Sequence, residues 1–297
     1  MPLKYTLFPY CLIMCVLFVS GCGLATKTPV PYQPRPTISE PTITPKPTRL
    51  PVKAVSTEQV TLECAETTGT IEQGSVENGL PDKPMRYKVY LPPCYSFDPS
   101  QRYPVVYLLH GQNSTEEQWI RIGAVSAADQ IIVQEQYLPF IIVFPFDYSF
   151  KQPREYNFED VFINTLIPTI DTVYRTQANA SGRSIGGLSR GGAWALRLGT
   201  LYPDMFGAIG GHSPAIFFAD DHALKRRLLT DVRDKLPHLW LDVGTNDSEY
   251  ALILSFDKFL SDNNIPHEYH EYAGWHDEKY WSAHVKEYLL WYVQNWK

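Results

Sequence analysis

Gly187-Leu188-Ser189-Arg190-Gly191, followed at once by Gly192, stands between two candidate elements: a short strand, Arg183 to Gly186, and a helix, Gly191 to Leu201. Strand, tight turn and helix in that order are what a G-x-S-x-G turn requires. A Cβ at either flanking glycine would clash in so tight a turn. The turn lifts the Ser189 hydroxyl clear of the sheet, and the next helix aims its partly positive N-terminus at it. Ser189 is thereby a candidate nucleophile. The competing reading is a glycine-rich packing turn, and these residues alone do not separate the two.

Working outward, the flanking sequence alternates strand and helix patterns. Arg86 to Leu91 alternates polar and apolar residues, as a half-buried antiparallel strand does. Val105 to Leu109 and Phe140 to Phe144 are continuous apolar runs, suited to strands covered on both faces. Phe206 to Gly211, Leu239 to Val243 and His267 to Tyr272 are three more strand candidates. Helical spacing marks Ala124 to Gln136, Asp160 to Tyr174, Tyr250 to Asn263 and Glu278 to Trp296. Such alternation predicts an α/β fold with a mostly parallel, doubly wound sheet and helices on both faces. In such sheets function sits at the carboxyl ends of the strands.

The 297 residues are 44% hydrophobic and 20% charged, enough for a sizeable core, and the formal charge of -6 argues against a dedicated nucleic-acid binder. The N-terminus reads differently from the rest. Lys4 precedes an apolar run from Leu7 to Val19, which ends in Val19-Ser20-Gly21-Cys22. This resembles a bacterial lipobox, in which cleavage precedes the cysteine and lipid is attached to it. Residues 1–21 are thus expected to be a lipoprotein signal and Cys22 the lipidation site, holding the protein to the outer face of the cell membrane. The alternative is a plain secretory signal with Cys22 incidental. Residues 22–58 are rich in proline and threonine and read as a semi-rigid tether. Residues 59–297 form the expected folded domain. Of the five cysteines only Cys64 and Cys94 fall within it. An exported compartment, and a predicted β-hairpin region that the two cysteines flank, favour a disulfide between them over two buried thiols, and their spacing suits no metal site.

Three further loops carry candidate chemistry. Asp247 follows the strand Leu239 to Val243, where an acid that orients a histidine should stand. Asp242, inside that strand and pointing at a helix layer, is its main rival, Glu249 a weaker one, and a helix N-cap the structural alternative. For the base, the chain order Ser, acid, His leaves His267, His270, His276 and His284. Only His276 lies in a loop after a strand. The last loop, Leu108-Leu109-His110-Gly111-Gln112, should supply a backbone N–H to an oxyanion, at the Gly111 to Gln112 turn, beside the N–H of Arg190. His110 precedes Ser189 and is expected to brace this loop; an ordinary strand-end turn is the alternative.

Several of these stretches together resemble the esterase D-type branch of the α/β-hydrolases, which includes feruloyl and acetylxylan esterases, S-formylglutathione hydrolases and mycolyltransferases. They are Tyr103 to Gly111 with Trp119, Leu166 to Asp171, Tyr174 to Thr176, Gly187 to Gly192, Tyr202 to Phe206 and Gly274 to Asp277. The resemblance spans about residue 85 to the end. It implies an α/β-hydrolase fold and a serine carboxylic-ester hydrolase with Ser189, Asp247 and His276 as its triad. It also implies oxyanion donors at the Gln112 and Arg190 backbones, and no cofactor or metal. Arg190 departs from the family, which often has Met or Gln there; its charge is expected to influence the acyl pocket or a preference for anionic substrates. Tyr148, in Asp147 to Gln152, and Trp275, Tyr280 and Trp281 around His276 are candidate substrate-binding residues, with packing as the competing role. Aromatic walls suit a small-molecule or polysaccharide-linked acetyl or feruloyl ester. An acyltransferase of the mycolyltransferase type, and a catalytically idle surface-binding domain, are the alternative functions.

Overall fold

The computed structural model describes residues 64–77, 84–230 and 232–296, all within the compact unit Val60–Lys297. The expected signal segment, Cys22 and the tether lie outside the described residues. Eight strands form one sheet in the order β1-β2-β4-β3-β5-β6-β7-β8. They are β1 (Thr70–Val76), β2 (Met85–Leu91), β3 (Val105–Leu109), β4 (Ile141–Pro145), β5 (Arg183–Leu188), β6 (Ala208–His212), β7 (His238–Gly244) and β8 (Glu268–Tyr272). β1 and β2 are antiparallel to each other, β2 is antiparallel to β4, and every other pair is parallel. Cys64 and Cys94 bracket the β1–β2 pair and are joined by a disulfide, with Cα atoms 5.8 Å apart.

Side-chain alternation divides the core in two. Val105, Tyr107, Leu109, Ile141, Val143, Leu239 and Leu241 face one layer of helices. That layer holds the helical stretch Phe158–Val173, α5 (Arg190–Leu201), α6 (Asp221–Thr230) and α7 (Tyr250–Asp262). Val106, Leu108, Ile142, Phe144 and Trp240 face the other, made of α1 (Gln118–Arg121), α2 (Ala124–Val133) and α8 (Glu278–Gln294). The period of two follows from the pleat and puts every second residue of a central strand on each face.

Three differences from the sequence reading stand out. Phe158–Val173 is α3 (Phe158–Val161), a π-helical turn over Phe162–Leu166, and α4 (Ile167–Val173). Pro168, at the start of α4, has no N–H to donate and crowds the preceding turn, which widens the ladder there. α2 ends at Val133, three residues short of the expected Gln136. α6 was not anticipated, because its apolar stripe is thin and only Leu224, Arg227 and Leu228 are buried. The β-hairpin expected between Cys64 and Cys94 is the β1–β2 pair, in which β1 lies at the sheet edge with mostly exposed residues.

β4 and β5 lie on opposite sides of β3, so the winding reverses between β3 and β5. The carboxyl ends of these two strands open a crevice at that switch point. In register, Leu109 is opposite Gly187 and Leu188 is opposite His212, so the loops after β3, β5 and β6 emerge side by side.

Candidate active site

Ser189 occupies the turn between β5 and α5 with φ 54° and ψ -119°. For a residue with a side chain this conformation costs on the order of 1–3 kcal/mol. Close packing of backbone enforces it. A Cβ on Gly187 would lie 2.3 Å from the Gly191 carbonyl carbon, and one on Gly191 would lie 2.1 Å from the Leu109 oxygen. The turn is further pinned by the Ser189 N–H, which donates to the His212 carbonyl at 2.9 Å.

Three side chains from three loops meet there. His276 Nε2 lies 2.8 Å from Ser189 Oγ. His276 Nδ1 lies 2.8 and 3.0 Å from the two Asp247 carboxylate oxygens. The Glu249 N–H donates to Asp247 Oδ1 at 2.7 Å, so Glu249 contributes its backbone and not its carboxylate. Burial acts to raise the Asp247 pKa, and the hydrogen bonds from His276 and Glu249 more than offset it, leaving the carboxyl below its ordinary value. The loops bearing Asp247 and His276 are stitched together: the Thr245 N–H donates to Tyr272 O at 2.8 Å and the Asn246 N–H to Gly274 O at 2.9 Å. Asp277 caps α8 by accepting from the Tyr280 N–H, which fixes the chain leaving His276.

The rival residues are engaged elsewhere. Asp242 is fully buried on the α8 side of the sheet, in hydrogen bonds with His212, Trp240, Tyr280 and Tyr288. His267 pairs with Asp257, His270 stacks on Trp240 and His284 stacks on Tyr272. None of the three approaches Ser189 through any of these contacts.

Two backbone donors flank the serine. Arg190 opens α5, so its N–H has no partner within the helix. In the turn after β3, the Gly111 N–H is already held by Gln118 Oε1 at 2.8 Å, and the next donor along is the Gln112 N–H. A Cβ built on Gly111 would come within 3.4 Å of Ser189 Cβ, so this turn lies against the serine. His110 is buried below it. Its Nε2 accepts from the Asp147 N–H at 2.9 Å, which leaves the proton on Nδ1 to donate to Gly111 O at 2.7 Å. Burial pushes the His110 pKa down, in keeping with this neutral ring.

Two expectations about side chains are corrected. Arg190 is buried, with Nε 2.8 Å from Asp147 Oδ2 and a terminal nitrogen 2.8 Å from Lys151 O. Its charge is neutralised inside the protein and is not presented to a substrate; Asp147 also accepts from Trp194 and Tyr156. Tyr280 is 3% exposed and its hydroxyl donates to Asp242 at 2.8 Å, so it belongs to the core rather than to a substrate wall. Trp281 is buried edge-on against His276, with ring centroids 5.1 Å apart, and its contact is with the histidine. Tyr148 is half-buried beside Phe146, and Trp275 is 64% exposed. Phe218, 95% exposed in the loop after β6, is a further aromatic at this edge of the sheet. Sequence reading missed it because its loop carries no motif. It likewise missed Gln118 and Asp147 as anchors of the site, since both act through contacts remote in sequence.

Comparison with known proteins agrees with this architecture. A family described as "Putative esterase" matches residues 79–292. An endo-1,4-beta-xylanase/feruloyl esterase of Xylanibacter ruminicola is 30% identical over 192 residues, covering 61% of this chain and 25% of that protein. An esterase of Mycobacterium tuberculosis is 26% identical over 242 residues, covering 63% of this chain and 51% of that protein. The chain thus aligns with a quarter to a half of the length of these curated relatives. Among solved structures, a ferulic acid esterase superposes with a TM-score of 0.70 at 21% identity, over 77% of this chain and 99% of that one. The fold is that of the α/β-hydrolases, and the chain belongs to the family described as "Putative esterase".

Proposed function

We propose that this family member is a serine carboxylic-ester hydrolase working through an acyl-enzyme on Ser189. One observation carries the reading: the hydrogen-bonded chain Ser189–His276–Asp247, with the serine in a strained turn at the switch point of the sheet. His276 Nε2 takes the Ser189 proton as Oγ attacks the ester carbonyl. Asp247, held ionised, keeps the proton of the neutral imidazole on Nδ1 and stabilises the imidazolium that forms. The Gln112 and Arg190 N–H groups receive the developing oxyanion; one such donor is worth roughly 10²–10³ in kcat. His276 then protonates the leaving alcohol, and water, activated by the same histidine, releases the acid from Ser189.

For the substrate we infer a carbohydrate-linked acetyl or feruloyl ester. The names of the xylanase/feruloyl esterase relative and of the ferulic acid esterase structure support this. So do Trp275 and Phe218, exposed aromatic surfaces on loops at the catalytic edge that suit a sugar or phenolic ring. We further infer an extracytoplasmic domain held to the membrane by lipid on Cys22; the lipobox-like Val19 to Cys22 and the Cys64–Cys94 disulfide support it. The test is a panel of acetyl, feruloyl and long-acyl esters assayed on the parent protein and on Ser189→Ala. The parent should turn over acetyl or feruloyl esters and the variant none; undiminished turnover by the variant would overturn the reading.

A further inference from the structure

Gln118 stands outside the triad, yet its amide joins two parts of the site that are far apart in sequence. It is 5% exposed and sits at the start of α1. Its Oε1 accepts from the Gly111 N–H at 2.8 Å, in the turn beside Ser189. Its Nε2 donates to Glu278 Oε1 at 3.0 Å, two residues after His276. The chemistry of the partners fixes the amide orientation. A backbone N–H needs the oxygen and a carboxylate needs the NH₂ group. Glu278 is in turn clamped by Arg121, whose Nε lies 3.1 Å from Oε2. Arg121 first, with Gln118 adding to it, holds the Glu278 carboxyl below its ordinary value, so the acceptor stays ionised.

We propose that Gln118 is a positioning residue for ester hydrolysis. It holds the Gly111 N–H away from the reacting centre and ties the oxyanion turn to the start of α8. The Gln112 N–H and His276 thereby keep a fixed spacing across Ser189. Two features make the link specific. Gly111 is packed against Leu188 and Ser189, and its carbonyl shares a peptide unit with the Gln112 N–H, so a displacement of Gly111 carries that donor with it. The link also joins the start of α8 to the turn after β3, whereas the Thr245 and Asn246 bonds join the His276 loop to the loop after β7. The inference rests on the proposed function, since it assigns a donor to the oxyanion of that reaction.

The test measures kcat and KM separately with a short nitrophenyl ester on the full chain, with thermal unfolding to verify folding. Gln118→Leu should lose about ten- to a hundredfold in kcat with KM within about twofold of the parent, the signature of an interaction made only in the transition state. Gln118→Glu places a second carboxylate against Glu278. It should be impaired at neutral pH and recover relative to the parent as pH falls and the pair takes up a proton. The exchanged pair Gln118→Glu with Glu278→Gln restores one acceptor and one donor, and should return kcat to within about threefold of the parent. An unchanged kcat in Gln118→Leu, a loss confined to KM, or an exchanged pair no better than Gln118→Glu alone would overturn the proposal. If Gln118→Leu does not fold, the exchanged pair decides. Ser189→Ala in the same assay separates the two claims. An active parent with a dead Ser189→Ala and an indifferent Gln118 removes only the positioning role. An inactive parent removes the proposed function itself.

Discussion

Asp247 shows how much a single side chain here depends on its surroundings. Its carboxylate is nearly out of solvent, yet two N–H donors keep it ionised, and it faces a histidine that faces the serine. Asp247→Asn keeps the size and removes the charge. The amide can donate to His276 Nδ1 and so favour the wrong tautomer. Activity toward a nitrophenyl ester should fall by roughly three to four orders of magnitude while the fold persists. The acid side of stability follows from the direction of its pKa. A depressed carboxyl stabilises the folded state above its unfolded value, near pH 4, and that contribution is lost as pH falls through the lower folded value. The parent should therefore lose stability over this range in a way Asp247→Asn does not, as read by denaturant unfolding at a series of pH values. Equal pH dependence in the two would contradict the assignment.

At the scale of elements, the loops after β3, β5, β7 and β8 supply the groups and the strands set their spacing. This was legible in the sequence where a local rule applies. Gly187 and Gly191 announce the turn because nothing larger fits. The apolar runs at Val105 and Phe140 announce central strands. Asp242 could be set apart from Asp247 by parity alone, since it shares a face with Trp240. What was not legible depends on contacts between distant residues. Tyr280 sits four residues after His276 and is aromatic, but the buried Asp242 carboxylate claims its hydroxyl. Arg190 looks like a charge offered to the cleft, yet Asp147, 43 residues earlier, neutralises it. That buried pair, with Trp194 and Tyr156, fastens the loop after β4 to α5, the helix that follows Ser189. Gln118 and Glu278 are 160 residues apart and no local pattern joins them. α6 escaped for a different reason: it is a peripheral element with little apolar periodicity.

At the scale of the molecule, the domain bearing the site and the N-terminal lipobox-like segment make separable claims. Cys22→Ala should abolish incorporation of a labelled fatty acid into the protein in an expressing bacterium without changing turnover by the domain; undiminished incorporation would contradict lipid attachment. The nucleophilic role of Ser189 underlies the whole mechanism. It is tested most directly by reacting the protein with a fluorophosphonate and locating the adduct by peptide mass spectrometry. One adduct is expected, on the peptide containing Ser189, with complete loss of esterase activity as it forms and slowed labelling in His276→Ala. An unlabelled protein that hydrolyses esters, or an adduct on another residue that accompanies the loss of activity, would contradict it.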